Sequence, residues 1–305
     1  MLGSISANLF YFQGKIPPAG APDLAPTSSI RIRTMHDASR QYPPSNQVSI
    51  LAATILLSYA LTHLTSGPGV TLTIQLPGFY FAYALTMGIA MTLMAGGLTA
   101  TGMDWLLRGH PAMRGRRTIE HWMLPTLTSV IIGIVLDILP RGSGWWIGFV
   151  IGALILMAVI VAEYITVDPG APLYAFASAG LTALSYALFL LFSISLRLGA
   201  ARLFLVVPAI FIAGTLVALR TLHLRLSGRW EYPWALSIGL VCAQVAAGLH
   251  YWPLSSLQFG MAVLGPLYAL TALAVGLSED LPVRSAMTEP GLILGGLWTA
   301  AALLR

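Results

Sequence analysis

Of 305 residues, 57% are apolar and only 9% charged, against about a quarter charged in soluble domains, so the chain could not solvate its own surface in water. Its apolar runs repeatedly exceed the roughly 18 residues that mark a bilayer-spanning helix. The composition therefore excludes a soluble globule and implies an integral membrane protein. The net charge of +5 does not imply nucleic acid, because the arginines flank apolar runs, where retention of short basic loops on the cytoplasmic side accounts for them.

Residues 1–47 read as a disordered tail rich in Pro, Ala and Ser (KIPPAGAPDLAPTSS) with no spanning segment. They contain no signal-peptide pattern of basic and apolar regions before a small-residue cleavage site. Within the tail, NLFYFQG resembles the tobacco-etch-type protease site of expression tags, with Asn8 in place of the required glutamate. Met35 offers an alternative start, so residues 1–34 are expected to lie outside the native fold. The transmembrane domain then occupies 48–305.

Its first span is expected at 48–65, followed by a chargeless turn (SGPGVTLTIQLPG) and a second span at 78–101. The loop GMDWLLRGHPAMRGRRTIEHWMLP carries Arg108, Arg114, Arg116 and Arg117 and is the only long polar break between two apolar blocks. Further spans are expected at 121–139, 145–167, 173–198, 203–224, 234–252 and 256–277. The last apolar run, 290–305, would rise only about 24 Å as a helix against a hydrocarbon core of about 30 Å. The expected fold is thus an all-α, polytopic bundle of eight or nine spans. Pro125, Pro208 and Pro266 should lie inside spans, and Gly144, Gly148 and Gly152 form a small-residue face suited to close packing.

Placing the N-terminus in the cytoplasm puts eleven basic residues inside and four outside (Arg141, Arg197, Arg202 and Arg305), which favours that orientation. Seven of the eight tryptophans fall at expected span ends, as an aromatic belt requires; Trp298 is the exception. A bacterial-type inner (plasma) membrane is the expected location.

Ion-coupled transporters hold ionisable groups near the bilayer midplane. Here Glu163 reads as an interfacial carboxylate one turn from a span end, and Arg220 and Arg225 as arginines that snorkel. Polar residues expected at mid-depth are Gln244, Tyr59 and Tyr186. His63 and His250 fall near outer span ends, and His121 and His223 near inner ones, the two-depth spacing that paired b-type haem ligation uses. Interfacial packing is the simpler role for all four. Arg114, Arg116 and Arg117, with Arg225 and Arg229, form the best candidate surface for anionic headgroups.

No catalytic residues can be assigned. HExxH, GxSxG, phosphate-loop and Cys/His metal-binding patterns are all missing from the sequence, and the lone Cys242 reads as a small packing residue. In size, span number and orientation the chain resembles the membrane prenyltransferases related to ubiquinone biosynthesis. That family needs paired aspartate-rich motifs on two inner loops, where this chain has only Asp104 and Glu231, so the resemblance stops at outline. No cofactor can be named. The expected role is a non-catalytic structural or accessory subunit of a membrane assembly, with lipids and other membrane subunits as partners. The alternatives are a permease for a neutral or lipid-like solute and an enzyme acting on a phosphate-bearing lipid at the inner face.

Overall fold

Long apolar runs can cross a bilayer only if each backbone N–H and C=O is satisfied within the segment, which makes them helices. The computed structural model describes residues 43–304 except 65–69, 77–78, 111–112, 114–117, 169 and 227. Among the described residues there are nine helices: α1 (Ser45–Leu64), α2 (Met87–Arg108), α3 (Ile119–Ile138), α4 (Ser143–Ile165), α5 (Tyr174–Leu198), α6 (Leu203–Arg225), α7 (Tyr232–Leu249), α8 (Ser256–Ser278) and α9 (Val283–Leu303). Seven of them, α1 and α3 to α8, are long and apolar enough to cross a membrane. The chain is a polytopic helical membrane protein. Helices α2 and α9 have comparable lengths of 22 and 21 residues but are more polar, with Asp104 and Arg108 in one and Arg284 and Glu289 in the other.

Three expectations need correction. The second span does not begin at residue 78, because strands β1 (Val70–Leu76) and β2 (Phe79–Leu85) form an antiparallel hairpin and α2 starts only at Met87. The reason lies in the pattern. VTLTIQL alternates apolar with polar residues, and FYFAYAL is aromatic-rich, both of which suit a pleated strand better than a helix. Thr71, Thr73 and Gln75 are exposed, as that alternation requires. The last apolar run is also longer than expected: α9 starts at Val283 and carries Pro290 in its interior, giving a rise of about 31 Å. Residues 45–47, assigned to the tail from sequence, already belong to α1. The remainder of the tail lies outside the described residues.

Every helix packs on its chain neighbour, and α5 and α8 also pack on each other. Two apolar cores result. One joins α1 to α4 through Leu51, Ile55, Met103, Ile132 and Ile160. The other runs from α3 to α8 through Ile131, Phe189, Val217, Cys242 and Val263. Cys242 is fully buried in that second core, as expected of a packing residue. Gly148 and Gly152 of α4 lie against Leu139 and Ile132, which bears out close packing there, whereas Gly144 faces open space. Trp298, the outlier of the aromatic belt, donates its indole N–H to the Ala262 carbonyl at 3.2 Å and ties α9 to α8.

Helices α6 and α7 cross closely, where Gly214 faces Gly239. A Cβ on Gly239 would stand 2.9 Å from the Phe211 carbonyl oxygen and 3.0 Å from the Thr215 backbone nitrogen, neither of which can give way without moving the helix. Gly239→Ala should therefore cost about 1–3 kcal/mol through overpacking. The thermal unfolding midpoint in detergent should fall, whereas Gly144→Ala, on the open side of α4, should leave it unchanged.

Candidate functional site

Where α3, α4 and α6 meet, three ionisable side chains are removed from solvent together. Glu163 lies two residues before the end of α4 and is 0% exposed, and Arg220 lies five residues before the end of α6 at 2%. His121 lies two residues into α3 and is also buried. These offsets put the cluster about 3–8 Å from the helix ends, within the bundle but far from mid-depth.

The Glu163 carboxylate is held as a fork by one guanidinium. Arg220 Nε donates to Oε1 at 3.0 Å, and Nη2 donates to Oε2. His121 Nδ1 lies 3.1 Å from Oε2; facing a carboxylate that already accepts from Arg220, it is the proton-bearing ring nitrogen. The Thr166 hydroxyl donates to the Glu163 carbonyl at 3.0 Å and accepts from Arg220 Nη2 at 3.4 Å. Arg220 Nη1 is buried without a hydrogen-bond partner among the described residues. Bidentate pairing of this kind adds orientation to Coulomb attraction. This refines the sequence reading: Glu163 lies within a turn of the helix end, as expected, but is buried against a cation, and Arg220 does not snorkel. They neutralise each other inside the bundle.

Nearby, in the link between α2 and α3, His110 sits edge-on to Tyr164 with ring centroids 4.7 Å apart. Burial holds its imidazole below the ordinary histidine range; Asp168 opposes that shift and His121 reinforces it.

The other residues singled out from sequence are dispersed. Arg114, Arg116 and Arg117 lie outside the described residues. Arg229 is exposed and pairs with Glu231 at 3.0 Å. Asp104 pairs with Arg108 at 2.6 Å and accepts from Thr118. Tyr59 is buried and donates to the Ser129 backbone oxygen at 2.6 Å, fastening α1 to α3. Gln244 does not line an interior path but is exposed on the outside of α7. Arg225 and Tyr186, which sequence placed in separate groups, line one cleft.

The histidines considered for haem have separate surroundings. His63 stacks on Trp145 with centroids 4.3 Å apart, and His250 meets Tyr251 edge-on. His223 lies over Trp230 at 4.5 Å. Helix α1 packs on α2, α3 and α4 while α7 packs on α6 and α8, so His63 and His250 belong to different helix groups. No cluster of three or more His, Cys, Asp or Glu side chains able to hold a metal ion occurs among the described residues.

A family model for DUF5656, described as a protein of unknown function, matches residues 67–304, more than three quarters of the chain. The chain belongs to the DUF5656 family. In this DUF5656 protein the matched segment takes in the hairpin, α2 to α9 and the entire Glu163 network, and leaves α1 with Tyr59 and His63 outside it. No curated protein and no solved structure gives a match.

Two outcomes follow for this DUF5656 protein. Removing one partner strands the other charge, so Glu163→Leu or Arg220→Met alone should each cost about 3–5 kcal/mol, while the double variant should regain most of it. Unfolding in mixed micelles reads all three. His110 is depressed in the fold, so the unfolded chain binds the extra proton. Its contribution is intact above about pH 6.5 and is lost as pH falls below that. The unfolding midpoint should drop on acidification, and His110→Gln should reduce the drop.

Proposed function

We propose that this chain is a non-catalytic subunit of a larger membrane assembly, with its N-terminus in the cytoplasm of a bacterial-type plasma membrane. The observation that carries the reading is Gln244. It lies about 5 Å beyond the midpoint of the 18-residue α7, well within the hydrocarbon depth. Its side chain is exposed and its amide has no hydrogen-bond partner among the described residues. An amide without partners in hydrocarbon costs several kcal/mol, and membrane helices meet that cost by bonding to another helix. Ser237, Val241 and Gly248 share its exposed face, and a Cβ on Gly248 would touch nothing within 4 Å. Small and polar residues in such a row suit close approach by another chain.

Large apolar side chains between the helices support the same reading: Phe189, Phe259, Ile55 and Met103 are fully buried. A permease for a lipid-like solute is the second reading. It draws on two lateral clefts of about 380 and 480 Å³, one at each end of α5. The positive-inside distribution of arginines supports the stated orientation.

Purification from the native membrane in a mild detergent, followed by native mass spectrometry, tests the proposal. A stoichiometric complex is expected for the wild type, with Gln244→Leu recovered as a folded, lone chain. A wild-type protein that is monomeric and unaccompanied would overturn it.

A further inference from the structure

The cleft that unites Arg225 with Tyr186 runs from the C-terminal end of α6 to the middle of α5 and α8 and has a volume of about 480 Å³. Ser178, Thr182 and Tyr186 line it at four-residue spacing, so they descend one face of α5 over about 12 Å. Ser178 and Thr182 spend their hydroxyl protons on the backbone carbonyls of Ala175 and Ser178, which leaves oxygen lone pairs as acceptors. From α8, Tyr268 packs its ring on Tyr186 with centroids 5.3 Å apart.

Two charges act on the tyrosine hydroxyls. Arg225, on the last turn of α6, is exposed and forms no ion pair with a carboxylate among the described residues, whereas Arg108, Arg220 and Arg229 each have one. Arg225 is within electrostatic range of both tyrosine hydroxyls. Glu289 of α9, bonded to a residue of the cleft wall, accepts the Tyr268 hydroxyl proton at 3.1 Å and is otherwise exposed. Ala183 and Leu224 supply apolar wall. The site therefore offers an unpaired cation, an accessible carboxylate, a row of acceptors and a greasy side.

We propose that this cleft binds the headgroup of a zwitterionic phospholipid that carries a primary ammonium, with the phosphate at Arg225 and the ammonium at Glu289 and the hydroxyl oxygens. A guanidinium without a carboxylate of its own is the natural partner of a phosphate. A carboxylate together with acceptor-only hydroxyl oxygens suits a group with three N–H donors. An anionic lipid without an amine would leave Glu289 unanswered, and a trimethylated amine would offer the acceptors no proton. The site stands whether or not the chain is part of an assembly.

The test is a lipid titration of the purified full chain by native mass spectrometry, using phosphatidylethanolamine, phosphatidylglycerol, phosphatidylcholine and soluble glycerophosphoethanolamine. Phosphatidylethanolamine should bind about tenfold more tightly than the other two lipids, the scale of one charge-assisted hydrogen bond. Arg225→Gln should lose about tenfold in affinity for it, and Glu289→Gln should erase the preference over phosphatidylglycerol. Arg229→Gln, on an arginine outside the cleft that already has Glu231, should change nothing. Circular dichroism confirms that each variant is folded. Equal losses in the Arg225 and Arg229 variants would show general surface attraction and overturn the site. So would an unchanged Arg225→Gln, or a preference for phosphatidylglycerol. If the soluble headgroup displaces the lipid at equal concentration, the occupant is a free phosphate ester and the lipid assignment falls.

Discussion

The contact on which the bundle depends is the fork between Arg220 and Glu163. Between helices in a membrane the lipid tails are as apolar as leucine, so burial of leucine against leucine does little to choose one neighbour over another. Choice has to come from shape and from the few polar groups that cannot be left alone. Arg220 and Glu163 are the most demanding such groups here, because either one without the other is a bare charge out of water. With His121 and Thr166 they fix neighbouring ends of α3, α4 and α6 relative to one another. The two apolar cores meet along α3 and α4, so the same fork pins their common wall.

The sequence was most legible where length alone decides. Seven of the nine helices lie close to where runs of apolar residues put them, and Pro125, Pro208 and Pro266 fall inside helices as expected. Two kinds of misreading remain. The hairpin after α1 was read as turn and then helix, because hydropathy averaged over a span-sized window hides a period of two. Proline at 290 was read as a start, though membrane helices tolerate proline inside them.

The side chains were harder. Depth along a helix can be counted from sequence, but the direction a side chain faces cannot be read when nearly every neighbour is apolar, since no polar face marks the outside. Gln244 shows this: its place near the middle of α7 could be counted, but its exposed orientation could not. For Glu163 a usable signal existed. It continues the row Leu156, Val159, Ile160, all buried, at the spacing of a single helix face. A charge that extends the most buried row of a helix is expected inside, and a buried carboxylate requires a cation. Arg220, buried five residues before the end of α6, is that cation.

The position of this ion pair in the chain also imposes an order on biogenesis. Chains enter the bilayer from the N-terminal end, so α4 is in place before α6 is synthesised. A helix bearing an arginine partitions poorly on its own, by about 2.5–3.5 kcal/mol at mid-depth and less near an end. When α6 emerges, the carboxylate of Glu163 is already waiting, and Arg220 lies only five residues from the helix end. The earlier helix thus serves as a receptor for the later one, and partitioning of α6 is coupled to its docking. Release of α4 into lipid before α6 arrives would leave both helices carrying a charge the membrane resists, so the fork selects for a nascent chain that holds its helices together until α6 is complete.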